Sequence, residues 1–374
     1  MEFFMARLFD RSRPLAALIL FSALASPCFA WSHKEHIQLT RMAAAELIAN
    51  PATPVEMKQW LIAANRGALD AEGEKQFFLH QRIGNYPRSA DGLGFWATMP
   101  DLDKSDRRAI EPFGVSESLL HYTDLELFNP DANRRTFKDD LSHKPQSGDI
   151  PRDMKDERWK RAGMLPFRVE DCYRKMVKAM REGKLADKDG QYPRDDHAEK
   201  WAGFLAHYLE DNCQPHHATL DFMSRTYFGK GTLRAPNVHS NVESTLADDD
   251  KDDHMALREE FWPIFLKELD EMKDETAATD PWDATIEVLM KSYDCLPLIG
   301  RAAMAGYKMG GTPEAPDGHP AEALDAEAFF HFKGKVGDRE MTMLEMKAHQ
   351  MAWAVKRVER VWRQGWDEAH GASK

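Results

Sequence analysis

Histidine and carboxylate side chains recur at helical spacing between residues 207 and 243. His207 and Asp211 are four residues apart, and His239 and Glu243 repeat this spacing. On a helix, residues i and i+4 lie on one face a turn apart, so each imidazole and its carboxylate can share a metal ion. Between the two pairs, the proline of the Gln-Pro-His-His run 214–217 is expected to end a helix and turn the chain. The spacing therefore predicts a metal site.

The N-terminal segment predicts export and a further metal ligand. Residues 1–30 combine an arginine-bearing start, an apolar stretch and a small-residue exit, which is typical of a signal peptide cleaved after Ala30. The apolar stretch is far shorter than the roughly 20 residues that a bilayer-spanning helix requires. Lipoprotein cleavage before Cys28 is disfavoured by the proline that precedes it. We therefore expect a secreted or periplasmic protein that begins at Trp31, whose free α-amine and carbonyl can chelate a metal.

Taken in chain order, these motifs resemble those of the bacterial zinc phospholipases C and the related fungal and plant single-strand nucleases. The superfamily pattern is an N-terminal Trp, a nearby His, a later Asp, a His between Leu and an aromatic residue, and then His-x-x-x-Asp, Gln-Pro-x-His and His-x-x-x-acid. The matching residues are Trp31, His36, Asp101, His121, His207, Asp211, His217, His239 and Glu243. The most specific piece is the run 205–217, and the matches span residues 31–243.

The resemblance implies a trinuclear zinc cluster. One zinc ion would bind Asp101, His121, His207 and Asp211. A second would bind His217, His239 and Glu243. The third would bind the amine and carbonyl of Trp31 together with His36, and Asp211 would bridge. Three dications with only three carboxylates leave the cluster positive, which suits a hydroxide and a phosphodiester.

Two ligand positions have a competing neighbour, and one nearby lysine has two interpretations. Asp103 is an alternative to Asp101, which we favour, and His216 is an alternative to His217, which the family spacing selects. Lys104 follows Asp101 by three residues, where the nucleases tend to carry an arginine that contacts the phosphate. Asp101 and Lys104 are therefore the predicted catalytic side chains, and a surface lysine is the alternative for Lys104.

Two enzyme interpretations fit the sequence about equally well, and they differ in the class of substrate. Glu243 at the end of the last motif and the Tyr-Leu pair 208–209 favour a phospholipase. The closeness of His36 to Trp31 and the long gap between residues 217 and 239 favour the nucleases. The acidic residues with which the phospholipases bind the choline cation cannot be placed in this sequence, which also weighs against a choline phospholipase. A nuclease would also stack an unpaired base on an aromatic side chain. Candidates for that stacking are Tyr122, Phe95 and Tyr227.

We therefore predict a zinc-dependent phosphodiester hydrolase of the phospholipase C type, in which metal-activated water attacks the phosphorus of a phospholipid during transient contact with a membrane surface. A single-strand-specific nuclease or 3′-nucleotidase acting on single-stranded nucleic acid is the first alternative. A non-catalytic zinc-binding protein, its cleft covered by extra loops, is the alternative of another class. No obligate protein partner is inferred.

The hydrophobic periodicity predicts an all-α fold, with one multi-helix domain over residues 31–374 that carries the cluster in a cleft and has long loop insertions. The predicted helices cover residues 37–48, 169–180, 196–211, 255–272, 282–293 and 341–366. Strand-type alternation and internal repeats are not found. The predicted loops cover residues 129–156, 229–237 and 310–319. The region after Gly310 has no counterpart in the resemblance and no predicted role.

Composition limits the partners and the crosslinks. The net charge of −12 excludes the broad basic face that binds duplex nucleic acid non-specifically, and it disfavours anionic membrane surfaces. Three cysteines remain after the leader, Cys172, Cys213 and Cys295, so at most one intrachain disulfide is expected, with its pairing open. The acidic run 248–253 is predicted to be a solvated turn rather than a calcium site, because it lacks the EF-hand spacing.

Overall fold

A computed structural model describes most of the chain that follows the predicted leader. The described residues are 31–104, 107–129, 141, 143–185, 196–229, 235–247, 254–274 and 276–371. The predicted signal peptide over residues 1–30 and the acidic run 248–253 lie outside these ranges.

The described residues are mostly helical, which confirms the all-α class. The helices are α1 (His33–Ala49), α2 (Val55–Ala64), α3 (Ala71–His80), α4 (Leu93–Asp103), α5 (Trp159–Ala162), α6 (Leu165–Arg181), α7 (Ala198–Cys213), α8 (Val238–Ser244), α9 (Met255–Glu271), α10 (Pro281–Tyr293), α11 (Leu296–Gly306), α12 (Ala326–Phe330) and α13 (Met343–His370). The six predicted helices correspond to α1, α6, α7, α9, α10 and α13.

Helix α1 begins earlier than predicted because of its cap. The Ser32 hydroxyl accepts from the backbone N–H of Glu35, and the Glu35 carboxylate accepts in return from the backbone N–H of Ser32. This capping box satisfies two N–H groups that the first helical turn leaves without partners. The helix therefore starts at His33 and holds His36 in its first turn.

Two short hairpins were not predicted, and one of them lies within the predicted loop over residues 310–319. Strands β1 (Gly310–Gly311) and β2 (Pro316–Asp317) pair antiparallel, and so do β3 (Lys333–Val336) and β4 (Arg339–Thr342). These strands have two or four residues each, which is too short for a detectable alternation. The second hairpin also places the start of α13 later in the chain than predicted, because Thr342 is both the last residue of β4 and the N-cap of the helix.

Helix α7 lies at the centre of the fold and is buried along its length apart from Lys200. It packs against α1, α4, α6, α10 and α13. Gly203 allows α4 to approach closely, since a Cβ at this position would lie 2.8 Å from the Leu93 carbonyl oxygen and 3.0 Å from the Ala97 nitrogen. This close approach brings the end of α4, with Asp101, beside the next turn of α7.

The three cysteines after the leader are buried free thiols. Cys172 lies on α6, Cys213 is the last residue of α7, and Cys295 precedes α11, so the described cysteines form no bridge with one another. In the described part of the chain, every helix is too short or too polar to cross a membrane.

Candidate metal centre

Buried histidines and carboxylates from distant parts of the chain converge beside α7. In each of three groups, one ligand atom from every member lies within 4.8 Å of those from the others. The groups are His36 with His207 and Asp211, Asp101 with His121 and His207, and His217 with His239 and Glu243. The first two share His207 and are called the α7 cluster below; the third is called the α8 group.

Asp211 lies at the middle of the α7 cluster. Its Oδ2 is 2.8 Å from His121 Nδ1 and 3.3 Å from His207 Nε2, and its Oδ1 is 3.6 Å from His36 Nε2. Asp101 faces the same histidines, with Oδ1 3.7 Å from His207 Nε2 and 3.9 Å from His121 Nδ1. Asp101 Oδ2 lies 3.9 Å from His36 Nε2, so each carboxylate directs one oxygen at His121 and His207 and the other at His36, as ligands that join neighbouring ions would.

The α8 group adjoins the α7 cluster through His217, whose Nδ1 is 4.0 Å from Asp211 Oδ2. His217 follows the proline-directed turn after α7, and His239 and Glu243 lie one turn apart on α8. Glu243 Oε1 contacts His239 Nε2 directly and lies 3.8 Å from His217 Nε2. Two imidazoles and one carboxylate leave room for a water or substrate at a four-coordinate ion.

The second ring nitrogen of three histidines is fixed by a backbone carbonyl oxygen or by the carboxyl of Glu210, none of which is a proposed ligand atom. His207 Nδ1 donates to the Ala97 carbonyl oxygen at 2.7 Å, and His217 Nδ1 donates to the carbonyl oxygen of His121 at 2.6 Å. His36 Nδ1 lies 2.5 Å from the Glu210 carboxyl. Because a carbonyl oxygen only accepts, His207 and His217 carry their proton on Nδ1 and direct the Nε2 lone pair at the cluster.

Burial sets the protonation of the ligands. It lowers the pKa of His36, His121 and His217 well below the usual range, so they are neutral and able to bind metal at neutral pH. Burial also opposes protonation of His207, but neighbouring carboxylates, Asp211 first, outweigh it and raise the pKa of His207. Burial raises the pKa of Asp211 to about 6. A dication would stabilise the ionised form of this carboxylate.

Several buried ligand atoms lack a hydrogen-bond partner within the described ranges. They are His36 Nε2, Asp211 Oδ1 and His217 Nε2, each directed at the shared centre. Buried polar atoms are nearly always paired, and an unpaired one costs about 1–3 kcal/mol. Cations bound in the α7 cluster and in the α8 group would satisfy these atoms, so the residues fit a metal and these buried groups could hold metal ions.

Trp31 is anchored next to the α7 cluster. Its indole is fully buried, and Nε1 donates to the Glu210 carbonyl oxygen at 2.8 Å. The Lys347 ammonium lies 4.7 Å from the centre of its ring. Glu210 directly precedes Asp211, so the side chain of residue 31 packs on the turn of α7 that carries the central carboxylate.

The geometry separates the competing candidates. Asp101 is 4% exposed and faces the histidines, whereas Asp103 lies on the exposed side of α4. His216 contacts the Ser224 hydroxyl at 3.2 Å and stacks on the ring of His239, outside the groups able to hold a metal.

Lys104 contacts a predicted ligand rather than lying on the open surface. Its Nζ is 2.5 Å from Asp101 Oδ1, and its side chain is only 9% exposed. Of the predicted stacking residues, Tyr227 is buried against Gly300 and cannot offer a ring face to a substrate.

Three supporting contacts were not predicted from the sequence. Glu210 holds His36 and accepts from the Thr40 hydroxyl at 2.9 Å; its position three residues after His207 was the available signal. Gln214 Nε2 donates to Glu243 at 2.7 Å. The third contact joins His33 and Arg88, for which the sequence offers no local pattern.

Comparisons of the chain with protein-family models and with curated proteins find no match. The functional interpretation therefore depends on the geometry of the α7 cluster and the α8 group together with the motif resemblance.

Proposed function

We propose that this protein is a zinc-dependent phosphodiester hydrolase of the phospholipase C type. The observation that carries the proposal is the convergence of three buried His/Asp/Glu groups, two of which share His207, on the side of α7 that carries Asp211. Imidazole and carboxylate ligands in sets of three or four suit zinc, and the neutral His36, His121 and His217 are ready to bind it without losing a proton. We expect three ions, with Trp31 completing the site of His36 once the leader is removed.

When bound, zinc supplies a hydroxide nucleophile at neutral pH and positive charge that offsets the charge on the phosphoryl oxygens. The protein's own residues orient these components. His207 and His217 are held by backbone carbonyls, and Asp211 is held by contacts with three imidazoles, so the ligands need little rearrangement. Lys104 adds a cation beside Asp101, from which it can contact a phosphoryl oxygen.

Apolar side chains at the edge of the centre favour a lipid substrate. Leu102 directly follows Asp101 and is 45% exposed, and Phe222 is 38% exposed with its ring edge-on to His239 at 5.9 Å between centroids. They would meet the glycerol and acyl carbons of a phospholipid while its phosphodiester lies at the cluster.

The second candidate is a single-strand-specific nuclease or 3′-nucleotidase. The observation that favours it is Phe222, since an exposed aromatic ring next to a ligand histidine can stack an unpaired base. Tyr122, which is half-buried directly after His121, offers a second ring. A zinc-binding protein without turnover is the remaining alternative.

Parallel hydrolysis assays test the proposal. Mature, zinc-loaded protein is incubated with dihexanoyl phosphatidylcholine, the corresponding phosphatidylethanolamine, and single-stranded DNA. We expect release of the phosphorylated headgroup and intact DNA. Asp101→Asn should abolish hydrolysis, while Asp103→Asn is the matched control two residues away on the exposed side of α4 and should retain it.

The other outcomes of this assay each remove the proposal in favour of an alternative. DNA cleavage with intact lipid would establish the nuclease. Zinc binding without hydrolysis of either class would establish the non-catalytic protein. Equal loss of activity in Asp101→Asn and Asp103→Asn would show that the centre described here is not the site of the reaction.

A further inference from the structure

Arg88 lies at the edge of the α7 cluster, separated from it by one imidazole ring. Its Nη1 is 2.9 Å from His33 Nδ1, and His33 Nε2 is 3.6 Å from Asp101 Oδ2. The guanidinium is half-buried, so substrate bound at the cluster could reach it. Neither residue belongs to the groups able to hold a metal.

The contact between the two side chains keeps the charge of Arg88 uncompensated. A guanidinium only donates, so His33 Nδ1 must accept, and the ring proton lies on Nε2 toward Asp101. His33 therefore acts as a neutral spacer that orients Arg88 without cancelling its charge. Arg88 makes no ion pair with any described residue, whereas Lys104 is paired with Asp101.

The turn that carries Arg88 is fixed on both sides. Arg88 opens the short 3₁₀ helix Arg88–Ala90. The buried Arg41 of α1 donates at 3.1 Å to the Tyr86 hydroxyl and at 3.1 Å to Asp91 Oδ1. Tyr86 also donates to Asp91 at 2.8 Å, which closes the network around the turn. A binding group on such a turn loses little conformational freedom when it engages a ligand.

A glycine lets this turn pass directly into α4. Gly92 has a φ of 63°, and a Cβ there would lie 2.0 Å from the Ala64 carbonyl oxygen, so no other residue fits without a shift. Helix α4 starts at the next residue and ends with Asp101 in its last turn. Arg88 and the ligand carboxylate therefore occupy two ends of one rigid segment.

We propose that Arg88 determines substrate specificity by binding a second negative group, the carboxylate or phosphate of an anionic phospholipid headgroup, beside the scissile phosphodiester. The inference rests on the proposed function and names its substrate class. A guanidinium fork binds an oxyanion through two parallel hydrogen bonds. Among the described residues Arg88 contacts His33 and no carboxylate, so its charge is available to an anionic group of the substrate.

Binding of two headgroup phosphates tests the proposal. Phosphoserine and phosphocholine each carry a phosphate and an ammonium group, but only phosphoserine adds a carboxylate. Calorimetry with the mature, zinc-loaded protein should give phosphoserine a Kd lower by about tenfold, the size of one charge-assisted hydrogen bond. Arg88→Gln should remove this advantage and change the Kd of phosphocholine less than about twofold. Arg88→Lys should keep part of it, since an ammonium retains charge without the fork.

Arg82→Gln is the matched control. Arg82 is an exposed arginine on the same connection between α3 and α4, so its loss changes the net charge equally. We expect it to leave both Kd values unchanged. Unchanged phosphocholine binding also shows that Arg88→Gln is folded with its metal centre intact.

Three results would overturn the proposal: equal Kd values in the unmodified protein, a phosphoserine advantage that survives Arg88→Gln, or equal weakening of both ligands by that variant. If Arg88→Gln lost binding of a nucleoside bisphosphate but kept phosphoserine binding, Arg88 would be assigned to a nucleotide substrate. That result would overturn the proposal of a lipid headgroup. Because binding is measured without turnover, failure of lipid hydrolysis would reject the proposed function while an Arg88-dependent preference for phosphoserine would still stand.

Discussion

The α7 cluster and the α8 group differ in how the fold supports them. The α7 cluster takes its ligands from α1, α4 and α7, which pack on one another, and from His121. The α8 group lies on a helix of seven residues and on the turn after α7. Its carboxylate, Glu243, accepts a hydrogen bond from the side chain of Gln214.

This difference predicts unequal metal sites. Ligands on long packed helices keep their geometry without metal, whereas ligands on a short helix can separate when the ion leaves. We therefore expect the ion of the α8 group to exchange first. Each prediction below tests this contrast between the two sets.

The largest effect is expected from removing the central carboxylate. Asp211 contacts His36, His121 and His207, so Asp211→Asn should lose two of three zinc ions and lower activity by at least about 100-fold. Glu243→Gln should lose one ion. Elemental analysis of purified protein measures both counts. Equal losses in the two variants would contradict a central role for Asp211.

The next effect concerns the buried ammonium of Lys347 on α13. Its Nζ donates to the Val242 carbonyl oxygen at 2.6 Å and pairs with Glu35 at 2.6 Å, both partners being buried. Lys347→Met leaves Glu35 charged and unpaired, so it should destabilise the protein by about 3–5 kcal/mol. Denaturant unfolding measures this loss. The double variant with Glu35→Gln should recover much of it, and no recovery would mean that the ion pair is not its source.

A smaller effect is expected from replacing the side chain that holds one ligand of each set in place. Glu210→Gln should weaken zinc binding by the α7 cluster, and Gln214→Ala should weaken binding by the α8 group, each by about 10- to 100-fold. Competition with a zinc indicator resolves the separate affinities. Either variant altering both sets equally would show that they do not act as separate units.

The smallest effect is expected at the far side of α8. Asn241 lies between the two ligands of α8, and its Nδ2 donates to the Tyr307 hydroxyl at 2.7 Å. Tyr307→Phe should cost about 0.5–1.5 kcal/mol in thermal unfolding and speed zinc release from the α8 group alone. An equal increase in the rate of zinc release from the α7 cluster would contradict the expected difference between the two sets.

Residues that share a helix could be predicted as neighbours from the sequence. The pairs His207 with Asp211 and His239 with Glu243 lie on single helices, where the spacing alone puts both side chains on one face. The six long helices could be predicted for the same reason, since their periodicity is sustained. Spacing alone does not separate Asp101, which the sequence analysis favoured, from Asp103, because both sit at the end of α4 and packing against α7 decides which one is buried.

Contacts between distant segments could not be predicted from spacing. Arg88 reaches His33 only because Arg41 fixes the intervening turn on α1, and Lys347 reaches the centre only because α13 packs against α1 and α7. Short elements such as β3 and β4 were missed because four residues give no periodicity to detect. The motif resemblance orders the ligands along the chain, but it provides no information on these supports.

The position of Lys347 has a consequence for biosynthesis. The centre uses residues from His36 to Lys347, so the ribosome must complete nearly the whole polypeptide before the α8 group gains its last support. A nascent chain that lacks α13 already contains every His, Asp and Glu of the three groups but does not yet hold them in place. We therefore expect stable metal binding by the α8 group to follow the packing of α13.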